Sequence, residues 1–224
     1  MAAATLLQCA RDHWSGTLIC IFQPAEENLD GAQAMLDDGL YDKIPKPELV
    51  LAQHVMRARA GTINLRAGPL LTAADAFDVR IFGRGGHGSA PHTTIDPIVI
   101  GAAIVMRLQT IVSREVTPGK LAVVTCGSIH AGQSPNIIPA YLDLQLNVRT
   151  YDAEVRKRVH ASIRRIVEGE CLAAGAEKKP EIKLTSSTPS TINDGKTIDA
   201  LRETFQPYFG DRLVEMEPPS ASED

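Results

Sequence analysis

Continuous apolar runs and alternating runs divide the chain into two kinds of segment. The first kind begins with an amphipathic stretch that predicts a helix over residues 2–13, and then the run Thr17-Leu18-Ile19-Cys20-Ile21-Phe22. Six apolar or β-favouring residues without alternation suit a strand covered on both faces. A short helix over 32–38 stopping at Gly39, a second strand over 49–52 and a third over 61–65 follow. Helix and strand in turn, joined by short connections, predict a mostly parallel sheet in an α/β domain.

From Ala74 the pattern alternates. Phe77, Val79 and Ile81 interleave with Asp78, Arg80 and Phe82, as in a strand with one exposed face. A helix over 97–114 carries Ile100, Ile104, Leu108 and Ile111 on one stripe. Strands over 121–130 and 140–150, a helix with Val155, Val159, Ile163 and Ile166 in line, and a strand over 181–184 complete the order β-α-β-β-α-β. The polar stretch 185–190 reads as a hinge, and a helix over 195–205 returns to the α/β pattern of the N-terminal segment. A module spanning 73–188 is thus inserted into a discontinuous domain made of 1–72 and 189–224.

Composition narrows the functional classes. The 224 residues are 44% hydrophobic and carry a formal charge of -4, so cores can form but no basic surface for nucleic acid or anionic lipid is expected. No stretch approaches the roughly 20 apolar residues of a membrane span. Cys9, Cys20, Cys126 and Cys171 are widely spaced, like reduced core thiols, and a cytoplasmic location is expected.

The candidate chemistry lies where strands end. Glu26 and Glu27 follow the first strand and His54 the second, the edge at which open α/β sheets collect ligands. Carboxylate and imidazole suit zinc, manganese or cobalt, yet two ligands do not complete a site, and a solvated loop accounts for them equally. The loop from Gly83 to His92 is rich in glycine and carries two histidines without a phosphate-binding pattern, and its glycines would let His87 approach a carbonyl closely. Asn136 lies in a turn between strands and Arg149 near a strand end. His13 and His160 fall on polar helix faces and read as solvated, and His130 has no evident partner. Ser89 lacks a nucleophile elbow.

Together, Gln23-Pro24-Ala25-Glu26-Glu27, His54, Gly85-Gly86-His87-Gly88-Ser89, Asn136-Ile137-Ile138-Pro139 and Ser222-Glu223-Asp224 resemble, in order, the amidohydrolase branch of metallopeptidase family twenty. That branch includes hippurate hydrolases, aminoacylase-like carboxypeptidases and the plant indole-acetyl-amino-acid hydrolases. The resemblance implies a zinc-peptidase-like α/β domain, here incomplete, with an inserted ferredoxin-like βαββαβ lid that forms a homodimer. It implies cleavage of N-acyl amino acids by a water bound to one or two divalent metals (zinc, manganese or cobalt). Glu26 would be the general base, Glu27 and His54 metal ligands, His87 an oxyanion stabiliser often serving the partner subunit, and Asn136 and Arg149 holders of the substrate carboxylate.

A Cys-x-x-x-His ligand pair ahead of the first long helix and a histidine near the C-terminus also belong to the family pattern. Neither is found, and Cys9 with His13 lies downstream of the expected place. The chain therefore reads as a segment of a longer enzyme, or a product shortened at both ends, with impaired metal binding and weak or no activity. A non-catalytic dimerisation module or pseudoenzyme is the alternative. An RNA-recognition domain shares the topology but needs exposed aromatics and basic charge, against 4% aromatics here.

Overall fold

The computed structural model describes residues 2–26 and 31–216. Two compact units partition the chain, Met1–Val55 and Met56–Asp224.

In the first unit, α1 (Ala2–Cys9) runs into a 3-10 turn at Arg11–His13. The Trp14 indole closes this corner by donating to the Leu7 carbonyl at 2.8 Å, while the Arg11 guanidinium stacks on the same ring at 4.2 Å. Two short helices follow, α2 (Gly31–Asp37) and α3 (Leu40–Lys43), separated by Gly39 at a φ of 74°. That left-handed backbone suits a residue without Cβ.

The expected strands over 17–22 and 49–52 do not form. Leu18, Phe22 and Val50 are 45%, 67% and 66% exposed, and Gly31 alone is buried among the unit's described residues. An apolar run becomes a buried strand only when neighbours take its backbone hydrogen bonds and layers cover both faces. No described strand pairs with either run. Cys9 and Cys20 are consequently exposed and not core thiols, although all four cysteines are free.

The second unit holds the core. Its strands are β1 (Ile63–Leu65), β2 (Gly68–Leu71), β3 (Ala73–Phe82), β4 (Gly86–His87), β5 (Ala122–Ala131), β6 (Ile137–Ile138), β7 (Tyr141–Thr150), β8 (Glu181–Thr188), β9 (Thr191–Asn193) and β10 (Leu213–Glu215). Its helices are α4 (Pro97–Thr110), extended by one π turn to Glu115, α5 (Ala153–Ala173) and α6 (Gly195–Phe209). Strands β5-β7-β3-β8 form a four-stranded antiparallel sheet in that order, and β3 pairs with β7 over ten residues. With α4 and α5 on one face, this is the predicted βαββαβ sandwich.

The alternation seen in the sequence sets the register. Phe77, Val79 and Ile81 of β3 and Leu142, Leu144, Leu146 and Val148 of β7 point into the core. They meet Ile100, Ile104 and Leu108 of α4 and Val155, Val159, Ile163 and Val167 of α5. Each helix starts on an aspartate: Asp96 accepts from the Ile98 N–H at 2.8 Å, and Asp152 from the Glu154 N–H at 2.9 Å.

Three expectations change. Strand β8 continues through Thr188, so most of the supposed hinge is strand; Ser and Thr resemble a linker in composition, but here they pair with β3 across a bulge. Parallel pairing among the described residues is limited to β1 with β10, not a mostly parallel sheet. The 19-residue helix Pro97–Glu115 is long and apolar enough to span a membrane by composition, contrary to the expectation from sequence. Its inner stripe packs on the sheet as a core helix does, while Val99 and Met106 on its outer face are 65% and 73% exposed.

Candidate active-site corner

Beyond the end of β3, the chain turns back against the segment preceding β7. The Gly83 N–H donates to Ala140 O at 2.8 Å, and β4 then pairs antiparallel with β6, setting Gly86 opposite Ile138 and His87 opposite Ile137. The Gly88 N–H donates to Asn136 O at 2.8 Å. A Cβ on Gly85 would lie 2.8 Å from Ile138 O, so glycine is what allows this approach. The ladder brings His87 and Asn136, about fifty residues apart in sequence, to one exposed corner. His92 sits nearby in the turn Pro91–Thr93.

The His87 ring is held locally. Its Nδ1 lies 2.7 Å from Ser89 Oγ and accepts from the Ser89 N–H at 3.2 Å. Arg149 lies at the other end of the sheet. It is half-buried, donates from Nε to Asn147 Oδ1 at 2.9 Å, and burial pushes its pKa down. Eight residue steps along β7 separate Tyr141, beside the corner, from Arg149, about 26 Å at the usual strand rise. Within one subunit the fold therefore brings His87 and Asn136 together and leaves Arg149 apart.

In the first unit, Glu26 is exposed at the end of a tight turn in which Ala25 takes a φ of 48°, uncommon for a non-glycine residue. His54 is exposed on a segment without regular secondary structure. Glu27 and the motif Ser222-Glu223-Asp224 lie outside the described residues. Among the described residues no cluster of three or more His, Cys, Asp or Glu could hold a metal ion. Glu26 and His54 are suitable donor types, but these residues do not assemble a ligand set.

A buried polar cluster was not anticipated from the sequence. The Asp75 carboxylate, 0% exposed, accepts from Arg156 Nε at 2.8 Å and Nη2 at 2.6 Å, from Ser187 Oγ at 2.9 Å, and lies 2.8 Å from His160 Nε2. Burial would raise the Asp75 pKa, but the hydrogen bonds from His160, Arg156 and Ser187 outweigh it and hold the carboxyl well below the ordinary range. His160 is thus partnered, with Phe77 edge-on at 4.9 Å, and not solvated as expected. Two signals were available: Asp75 shares the inward parity of Phe77, Val79 and Ile81, and Arg156 and His160 are four apart on α5.

A family model for the peptidase dimerisation domain matches residues 73–174, which hold most of the sandwich and the whole β4–β6 corner. The chain is 37% identical over 218 residues to hippurate hydrolase of Campylobacter jejuni, covering 96% of this chain and 56% of that protein. It is 35% identical over 225 residues to N-acetyl-L-cysteine deacetylase of Bacillus subtilis, covering 100% and 53%. A solved structure from methicillin-resistant Staphylococcus aureus matches with a TM-score of 0.83 at 30% identity, covering 97% of this chain and 56% of the other. A Bacillus subtilis dinuclear metal-binding peptidase of the M20 family matches with a TM-score of 0.65 at 31% identity, covering 96% and 54%.

The chain belongs to the M20 metallopeptidase family, in its amidohydrolase branch. It spans about half the length of the curated relatives it matches.

Proposed function

We propose that this chain contributes the lid, and part of the catalytic domain, of a metal-dependent amidohydrolase acting on N-acyl amino acids. The juxtaposition of His87 and Asn136 by the β4–β6 ladder carries this reading. An imidazole N–H beside a side-chain amide can donate to a substrate carbonyl oxygen and to a carboxylate, the two acceptors of an N-acyl amino acid. Glu26 is the general base in this reading, Glu27 and His54 are metal ligands, and Arg149 is a second carboxylate anchor. The relatives act on substrates of this class by name, a hippurate and an N-acetylated cysteine.

The partner is a second copy. Strand β5 is an edge of the sheet, and Val123 and Ile129 along it are 38% and 49% exposed. Antiparallel pairing of two β5 strands about a two-fold axis extends the sheet and reverses its ends. The partner's corner with its own histidine and asparagine would then lie toward the Arg149 end of this subunit. Such an arrangement reconciles three proposed substrate contacts that one subunit keeps apart.

Because the Cys-x-x-x-His pair and the late histidine of the family pattern are not found among them, these 224 residues are expected to hydrolyse an N-acyl amino acid weakly or not at all with added zinc or manganese. Robust metal-dependent turnover abolished by Glu26→Gln would refute that expectation. An N-acyl amino acid should still perturb the amide resonances of Gly88 and Asn136, and silence at those positions would count against the lid as a substrate contact. The alternative of a non-catalytic dimerisation module is favoured by burial concentrated in the unit Met56–Asp224. A metal-free dimer in solution supports the module, and a metal-loaded species the enzyme.

A further inference from the structure

We infer that Ser89 is a positioning residue that fixes the tautomer of His87, so that the imidazole presents Nε2–H to the substrate oxygen. This role rests on the proposed function, in which His87 donates to that oxygen.

The geometry allows one assignment for the neutral ring. The backbone N–H of Ser89 reaches His87 Nδ1 at 3.2 Å, and a backbone N–H can only donate. A proton on Nδ1 would point at the proton already there. Nδ1 therefore carries a lone pair, and the single proton of a neutral imidazole resides on Nε2. Ser89 Oγ, 2.7 Å from the same nitrogen, then turns its hydroxyl hydrogen toward the ring as a second donor.

The backbone aims both donors. His87 is fixed by its pairing with Ile137, Gly88 by its hydrogen bond to Asn136 O, and the turn is closed by the Ala90 N–H donating to His87 O at 2.9 Å. The Ser89 hydroxyl is thus engaged with the imidazole, which agrees with the absence of a nucleophile elbow. The opposite tautomer would present the Nε2 lone pair to an oxygen that gains negative charge, replacing an attraction with a repulsion.

The test needs no turnover. With 15N-labelled histidine in the 224-residue chain at alkaline pH, long-range proton–nitrogen spectra distinguish pyrrole-type from pyridine-type ring nitrogens, and His87→Gln identifies the signal among six histidines. The wild-type ring should show pyridine-type Nδ1 and pyrrole-type Nε2. Ser89→Asp sets an acceptor-only carboxylate beside Nδ1 in competition with the backbone N–H and should shift the ring toward the Nδ1-protonated form, while Ser89→Thr should retain the wild-type pattern. A wild-type ring protonated on Nδ1, a mixture like free imidazole, or an unchanged pattern in Ser89→Asp would each overturn the inference. If Ser89→Asp fails to fold, the wild-type spectrum decides alone. Where hydrolysis can be measured, Ser89→Asp should lower kcat about 100- to 1000-fold with KM little changed. Turnover indifferent to His87→Gln would reject the proposed role of His87 and leave the tautomer assignment standing.

Discussion

Replacing Arg156 with methionine should destabilise the sandwich more than replacing Asp75 with alanine, although both remove the same ion pair. The difference follows from exposure. Asp75 is 0% exposed, whereas the side chains of Arg156 and His160 are 21% and 24% exposed at the rim. When Asp75 is removed, the guanidinium and imidazole can turn to water. When Arg156 is removed, the carboxylate stays buried with only His160 and Ser187 as partners. Breaking a buried pair on the side that strands a charge costs about 3–5 kcal/mol. Removing the carboxylate should cost roughly 1–2 kcal/mol in lost hydrogen bonds.

Acid provides a second check. Since the Asp75 carboxyl is held below its unfolded pKa, its contribution is present above about pH 4 and is lost as pH falls toward its folded value. The deficit of Arg156→Met should therefore shrink as pH falls below about 4, because the wild type loses stability while its unfolded carboxyl takes up a proton that the folded one does not, and the variant, without the guanidinium, has less of that contribution to lose. Trp14 is the single tryptophan and lies in the other unit, so its fluorescence does not report on this cluster. Hydrogen exchange at the Phe77 and Val79 amides, with urea unfolding followed by circular dichroism, does. Equal costs, the reverse order, or a deficit undiminished in acid would refute the reasoning.

The proposed interface and the corner can be tested separately. Met106→Glu on the 73% exposed outer face of α4 should shift the chain from dimer to monomer in sedimentation while leaving its circular dichroism unchanged; a persisting dimer would place the contact elsewhere. Gly85→Ala puts a Cβ 2.8 Å from the backbone oxygen of Ile138, which cannot rotate away. A cost of about 1–3 kcal/mol is expected, with faster exchange of the Gly88 amide, and an unchanged rate would show that the ladder tolerates the extra atom.

The sequence by itself determined the module. Its alternation and helical stripes are local signals, and they agree with the packed core because burying one face of a strand fixes the parity of every residue along it. His87 and Asn136 were legible as motifs, but their meeting at one corner depends on the pairing of β4 with β6. Pairings over long separations escaped. Asp75 and Arg156 are 81 residues apart and Asp75 and Ser187 are 112 apart, so Ser187 resembled a linker and His160 a solvated histidine until the sheet and α5 enclosed one carboxylate. The apolar runs over 17–22 and 49–52 failed for the complementary reason. Apolarity records a demand for burial, and only a tertiary structure with strands to pair and layers to cover them meets it.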